Sequence, residues 1–358
     1  MNGQDLSQTL QAQVQAAYAT GTALTIQGGN SKTWYGNSAQ GDVLSVAEHS
    51  GIINYEPSEL VITARAGTRL TELETALAAE NQCLAFEPPH FGATASLGGT
   101  IACNFSGSAR PYLGAARDFV LGCKLINGQG EILQFGGQVM KNVAGYDVSR
   151  LMAGALGTLG VLLEVSLRVL PKPETELTLV KELSANAAIQ QANAYVRLAL
   201  PMSGFAQLDG QAYLRLAGTA GAVQQARATI GGELLPDGAS FWLNLREQQL
   251  AFFQTQQNLW RLSVPADTPV LELNGQTLYD WGGAQRWLIS DLEAADIRAA
   301  VTNIGGHATL FRQAAQQAQA TDSRFQPLAA ELLRYHRQLK QAFDPKGIFN
   351  PNRLYLGL

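Results

Sequence analysis

The chain has 358 residues, of which 46% are hydrophobic and only 15% charged, and its formal net charge is −4. This length predicts two domains. A weakly acidic chain without runs of Lys or Arg has no electrostatic footprint for nucleic acid or for an anionic membrane surface, so we expect neither partner. We also expect no transmembrane segment, because the most apolar stretch, 151–170, contains Glu164 and Arg168. Its uncharged part is shorter than the roughly 20 residues that a membrane span needs.

The N-terminal residues and the cysteines indicate the compartment. The chain starts without a basic region followed by an apolar stretch, so we expect no signal peptide. Cys83, Cys103 and Cys123 are an odd number of widely spaced cysteines. This pattern is typical of reduced thiols and predicts a cytoplasmic protein.

Periodicity predicts the elements of the first half in chain order. An amphipathic helix covers about 4–18, and a short strand, TALTIQ, leads into a glycine-rich loop. A helix follows at 69–81, and Ser96 can cap another. Asn127-Gly128 between two apolar segments predicts a hairpin. Asp147 can cap a further helix, and TLGVLLEVSLRVL is typical of a long buried strand.

The sequence PKPE, at 171–174, interrupts this pattern as a domain boundary would. Beyond it, strands alternate with helices in a way that predicts an α+β domain with a mostly antiparallel sheet. A final helix stops at Asp344-Pro345. We therefore expect domains at 1–173 and 174–330, with the helix and tail of 331–358 returning to the first domain.

Three glycine-rich segments are candidates for chemistry. In the first, Gly28 and Gly29 let backbone N–H groups approach a phosphate, and Ser31 and Lys32 add a hydroxyl and a charge; a plain turn would look the same. In the second, glycines at 98 and 99 follow the Ser96 cap. They could let an anion bind at the helix N-terminus, or they could serve only close packing of the helix. The third has glycines at 154, 157 and 160, which do not make the G-x-G-x-x-G fingerprint of a Rossmann fold. Packing of a helix on a strand explains the third segment equally well.

The order of these segments resembles the FAD domain of the vanillyl-alcohol-oxidase flavoproteins, the PCMH-type domain, over about 6–173. The closing FDPKGIFNP looks like that family's C-terminal signature. Within the family, SGSARPYLGAARDFVLG, MKNVAGYDVSRLMAG, DWGGAQRW and GGHATLFR are similar to the FAD-binding subunits of glycolate oxidases. The resemblance implies an α+β fold: a PCMH-type domain of two α/β subdomains, followed by an α+β cap domain with a mostly antiparallel sheet.

The resemblance also implies which residues hold FAD. The pyrophosphate loop would be Gly28, Gly29, Asn30, Ser31 and Lys32. The diphosphate and ribityl chain would be lined by Ser96, Leu97, Gly98, Gly99 and Thr100. Along the flavin would lie Asn104, Ser106, Gly107, Arg117 and Asp118, and near the adenine half Gly157, Gly160 and Val161. Covalent relatives anchor the flavin through His or Cys, so Asn30 in this loop predicts noncovalent FAD.

The implied activity is FAD-dependent oxidation of a small 2-hydroxy acid, glycolate to glyoxylate, with hydride passing from the substrate carbon to the flavin. Its partners would be a second flavoprotein subunit and an iron–sulfur subunit. Whether these partners attach the chain peripherally to the inner membrane is left open. The alternative is a noncatalytic flavin-bearing or scaffolding subunit beside a catalytic paralogue. A UDP-sugar enolpyruvyl reductase on the same fold is disfavoured by FDPKGIFNP.

One departure from the family favours the noncatalytic alternative. Relatives that oxidise D-2-hydroxy acids alone carry a metal-binding GHxGDGNxH segment, where this chain has GGHATLFR, so we predict no metal site. The catalytic candidates are Arg110, His307 and Asn350. Arg110 could bind a substrate carboxylate, or it could pair with Asp118 or a flavin phosphate. His307 could act as a base or could be a hydrogen-bonded strand residue.

Overall fold

The computed structural model describes residues 3–137, 147–314 and 323–358. It divides the chain into two compact units: Met1–Ser106, Gly114–Lys172 and Pro327–Leu358 form the first, and Gly107–Leu113 and Pro173–Gln326 the second. The stretch 140–146 of the third glycine-rich segment lies outside the described residues. Within the described residues, no helix combines the length and apolar character needed to cross a membrane.

The main sheet of the first unit has five antiparallel strands, in the spatial order Ile52–Glu56, Val61–Arg65, Val161–Arg168, Val120–Ile126 and Ile132–Gly136. Two smaller pairs are the parallel strands Leu24–Gln27 and Asp42–Ser45 and the antiparallel strands Gln82–Cys83 and Leu170–Pro171. The helices are Ser7–Thr20, Leu70–Ala79, Leu97–Cys103, Ala116–Phe119, Val148–Leu151 and Ala330–Phe343.

The first unit has two hydrophobic clusters. In one, Leu70, Leu73 and Leu77, one face of the predicted helix at 69–81, are completely buried against the five-stranded sheet. In the other, Leu10 of the N-terminal helix packs with Phe349 of the C-terminal signature. The predicted α+β class is confirmed by this arrangement of helices on mostly antiparallel strands.

The second unit has one sheet of eight strands that pair antiparallel. Their spatial order is Glu233–Leu234, Thr175–Glu182, Gln211–Gly218, Met202–Leu208, Gln276–Asp280, Gln285–Ile289, Leu259–Ser263 and His307–Arg312. Its helices are Arg110–Leu113, Ala185–Arg197, Ala220–Ile230, Gly238–Arg246 and Ala294–Thr302.

Two details of the second unit concern segments named above. The segment YDWGGAQRWLIS is divided between two strands, because Gly282 and Gly283 take positive φ values and turn the chain between them. The stretch 107–113, which we counted in the first domain, groups with the second unit, where Tyr112 packs against the core cluster around Leu214.

Candidate functional site

A cavity of about 300 Å³ lies in the first unit, within the size range of small-molecule sites. Its wall includes the whole predicted pyrophosphate loop, Gly28–Lys32, which we call the glycine loop. The lining residues are Thr25, Ile26, Gln27, Gly28, Gly29, Asn30, Ser31, Lys32, Thr33, Ser38, Ala39, Ser96, Gly99, Ala102, Cys103, Leu156, Asn350 and Arg353.

The glycine loop packs so closely that side chains are excluded from its first two positions. A Cβ atom on Gly29 would lie 1.5 Å from the carbonyl oxygen of Thr94, and one on Gly28 would lie 2.6 Å from Ser96 Oγ. Asn30 then turns the chain with a φ of 58°. At these two positions, the loop therefore contributes only backbone atoms to the cavity wall.

Ser96 joins the glycine loop to the helix Leu97–Cys103. It is 3% exposed, and its Oγ accepts the N–H groups of Gly29 and Gly99, each at 3.4 Å. Gly99 lines the cavity, and a Cβ there would meet only Ser96 Oγ, at 3.3 Å. Ser96 and Gly99 thus share the cavity wall with the glycine loop.

The other members of that segment face the core. Leu97, Gly98 and Thr100 are buried and do not line the cavity. Gly98 donates its N–H to the carbonyl of Ala66 at 2.7 Å, and a Cβ on Gly98 would lie 2.7 Å from the Ala66 Cβ. Close packing, the alternative considered for this glycine, is what the structure shows.

The polar residues after this helix hold a turn together. Asn104 Oδ1 accepts the N–H of Arg117 at 3.1 Å, Ser106 Oγ accepts that of Ala116 at 2.9 Å, and Asp118 Oδ2 that of Ala115 at 2.9 Å. The Arg117 side chain is 59% exposed and 3.9 Å from Asp118. These residues lie outside the cavity lining. Gly107 belongs to the second unit, where its carbonyl accepts the indole N–H of Trp281.

Of the predicted adenine-side residues, Gly157 lies next to Asn350. A Cβ on Gly157, whose φ is +70°, would meet Asn350 Nδ2 at 2.6 Å. Asn350 lines the cavity, but its amide donates to the Leu156 carbonyl at 2.7 Å and accepts the Ile26 N–H at 2.8 Å. Both amide atoms therefore hold the backbone of the cavity wall, which favours a positioning role. Gly160 and Val161 are buried, outside the cavity lining.

Two cations contribute to the cavity wall. Lys32 is 7% exposed, and its Nζ donates to the His90 carbonyl at 3.0 Å and to Ser31 Oγ at 3.2 Å. Arg353, which the sequence analysis passed over, donates to the carbonyls of Thr33 and Asn37 at 2.8 and 3.1 Å. The position of Arg353 just after the C-terminal signature FDPKGIFNP was the feature of the sequence that could have identified it as a site residue.

The second unit contains a separate group of charged residues. The guanidinium of Arg110 lies 4.3 Å from the ring centroid of Trp281. Arg261 lies on the strand next to that of His307, since Ser263 is the register partner of His307. Desolvation and the positive charges of Arg261 and Arg110 lower the pKa of His307. The imidazole is therefore neutral at pH 7. Arg261, which the sequence did not single out, belongs to the same charged group as the predicted residues Arg110 and His307.

Among the described residues, no group of three or more His, Cys, Asp or Glu side chains is arranged to hold a metal ion. In the part of the chain that the structure describes, Cys83, Cys103 and Cys123 form no disulfide.

Comparisons with known proteins identify the family. The FAD binding domain family FAD_binding_4 matches residues 7–136. The glycolate oxidase subunit GlcE of Escherichia coli (strain K12) is 49% identical over 354 residues, which cover 99% of either chain. The glycolate oxidase subunit GlcD of Bacillus subtilis (strain 168) is 34% identical over 141 residues, 39% of this chain and 30% of that protein.

Solved structures agree on the fold. A structure of alkyldihydroxyacetonephosphate synthase superposes with a TM-score of 0.64 at 14% identity, covering 96% of this chain and 74% of that one. The PCMH-type fold inferred from sequence is confirmed. From its full-length identity to the bacterial subunit, the chain belongs to the family of the glycolate oxidase subunit GlcE, and it is an FAD-dependent oxidoreductase.

Proposed function

We propose that the cavity of the first unit binds FAD noncovalently, with the diphosphate against the glycine loop. The observation that carries this proposal is the bridge from Ser96 Oγ to the N–H groups of Gly29 and Gly99. This bridge holds two glycine positions, one in the glycine loop and one in the first turn of the helix Leu97–Cys103, on the same cavity wall. The residues fit the cofactor, because backbone N–H groups and a nearby guanidinium suit a diphosphate.

Noncovalent binding is supported by the loop itself. Asn30 has neither a thiol nor an imidazole, and its Nδ2 donates to Gln27 Oε1 at 3.2 Å. Cys103 also lines the cavity, at the end of the helix Leu97–Cys103 and on a different segment from the glycine loop.

We further propose that the chain is the FAD-binding subunit of a complex that oxidises glycolate to glyoxylate. The full-length similarity to a glycolate oxidase subunit supports this substrate. Bound FAD would supply a two-electron acceptor. Iron–sulfur clusters usually need about four thiolates, and the chain has three cysteines, each far from the next in sequence. Electrons would therefore leave through partner subunits, a second flavoprotein and an iron–sulfur protein.

The charged group of the second unit suits the substrate's two functional groups. Arg110 and Arg261 provide positive charge for a carboxylate, and a guanidinium can bind a carboxylate through two hydrogen bonds. His307, whose pKa is lowered by burial and by those charges, can accept the proton of the substrate hydroxyl. In this proposal Arg110 and Arg261 bind the acid and His307 is the base.

The second candidate is a noncatalytic flavin-bearing subunit. It is favoured by GGHATLFR, which lacks the acidic residue and second histidine of the metal-binding segment in relatives that act alone. Glycolate-dependent dye reduction by the co-expressed complex separates the two. An Arg110→Gln complex with full FAD occupancy should lose most activity if this subunit holds the substrate. Unchanged activity would assign the substrate to another subunit.

A further inference from the structure

The guanidinium of Arg353 connects the C-terminal tail to the chain that follows the glycine loop. Its Nη2 donates to the carbonyl of Thr33 at 2.8 Å and its Nη1 to that of Asn37 at 3.1 Å. In return, the Asn37 N–H donates to the Arg353 carbonyl at 3.0 Å. These bonds fix the arginine where it lines the cavity together with Thr33.

Among the described residues, no acidic side chain compensates the charge of Arg353. In the described parts of the chain, no carboxylate oxygen lies within 4.0 Å of its guanidinium nitrogens, although Arg353 is partly buried. Burial lowers the pKa of Arg353. A charge removed from water is costly unless it is paired, and carbonyl oxygens satisfy its hydrogen bonds but not its charge. An anion in the cavity would restore that balance.

Lys32 is less suited to supply this charge. Its ammonium group is directed to the His90 carbonyl and to Ser31 Oγ, and it lies 5.9 Å from the ring centroid of Phe91. The N–H groups of the glycine loop are neutral donors. A cation from another part of the chain would therefore add the charge that this loop lacks.

We propose that Arg353 provides the counter-charge for the diphosphate of FAD, so that the C-terminal tail is part of the cofactor site. The proposal rests on the placement of FAD in the cavity of the first unit. A planar guanidinium has five N–H donors, of which the two carbonyls use only part, and it is well suited to a phosphate.

Binding of ADP and adenosine to the full-length, FAD-stripped chain tests this inference, because the two ligands differ in the diphosphate alone. Titration of each ligand into the stripped chain gives the two Kd values. For Arg353→Gln we expect the Kd of ADP to rise about 10- to 100-fold, the range of a hydrogen bond to a charged group. The Kd of adenosine should change less than about twofold. Arg353→Lys, which keeps the charge, should retain most of the preference for ADP.

The matched control is Asn37→Ala. Asn37 Nδ2 donates to the carbonyls of Asn352 and Leu354, so this change loosens the same tail and leaves the guanidinium charge in place. We expect it to affect ADP and adenosine equally.

Three results would overturn the inference. Arg353→Gln could bind ADP as tightly as the wild type does, or it could lose affinity for ADP and adenosine equally. The third result is that Arg353→Lys loses the preference for ADP over adenosine. The last result decides the question even if the glutamine variant does not fold. If FAD fails to bind the wild-type chain, or if Gly99→Val leaves its Kd unchanged, the FAD cavity itself is wrong.

Discussion

Lys340 Nζ lies 2.8 Å from Asp344 Oδ2, with the two side chains 10% and 0% exposed. The ammonium group also donates to the carbonyls of Thr158 and Phe349, each at 2.8 Å. The carboxylate accepts the N–H groups of Ile348 and Phe349 at 3.0 and 2.7 Å. This pair ties the last helix to the C-terminal signature and so places the tail that carries Asn350 and Arg353 beside the cavity.

Replacement of Lys340 by Met should therefore destabilise the chain strongly. The change leaves Asp344 buried without its cation, and breaking one partner of such a pair costs about 3–5 kcal/mol. Arg337→Met, at an exposed position of the same helix, is the matched control and should change the free energy of unfolding by less than about 0.5 kcal/mol. Chemical denaturation measures both, and equal effects would contradict the assignment.

Gly98 and Gly99 should respond differently to valine. Gly99→Val places its side chain at the cavity wall, so we expect loss of FAD affinity while the FAD-free chain stays within about 1 kcal/mol of wild-type stability. Gly98→Val overpacks the contact with Ala66 and should cost about 1–3 kcal/mol. Flavin fluorescence and denaturation separate the two effects. A Gly99→Val variant that retains wild-type FAD affinity would place the cofactor elsewhere.

The contrast between these glycines shows how far sequence reasoning reaches. Periodicity and caps located the helix after Ser96, and motif order indicated the cofactor class. The sequence could not tell which of the two adjacent glycines faces the cavity, since that depends on where Ala66 packs. Nor could it show Arg353 beside Thr33, because a contact across 320 positions of the chain leaves no local pattern.

The pH dependence of glycolate oxidation should report on His307. Burial, together with the positive charges of Arg261 and Arg110, holds the pKa of His307 below its usual 6.5, so the base form should persist into mildly acidic solution. Arg261→Gln removes one of these charges and should raise that pKa, which moves the acid limb of the kcat/KM profile to higher pH. Arg227→Gln, at an exposed helix position of the same unit, is the control. Coincident profiles for all three complexes would remove His307 from the mechanism.

Stability should fall in mild acid because of His49. This side chain is fully buried, its Nδ1 accepts the N–H of Leu6 at 3.0 Å, and desolvation lowers its pKa. Its folded-state pKa is below the unfolded value of 6.5, so the unfolded chain binds more protons as the pH falls from 6.5 toward the folded pKa. The free energy of unfolding should decrease across that interval and be highest above it.

His49→Asn isolates this contribution. The Asn Oδ1 can replace Nδ1 as acceptor for the Leu6 N–H but does not titrate. We expect a flatter dependence of unfolding free energy on pH between 7 and 5 than in the wild type. Parallel curves for the two proteins would mean that His49 is not responsible.

The most direct test of the account is to identify the flavin released from the purified full-length chain by acid or heat. The cavity with its glycine loop predicts about one FAD per chain, and the proposed noncovalent binding predicts that this FAD is freed completely on denaturation. Release of FMN would contradict the diphosphate site, and flavin that stays with the denatured protein would contradict noncovalent binding. A chain that cannot be loaded with FAD at all would contradict the proposed cofactor site.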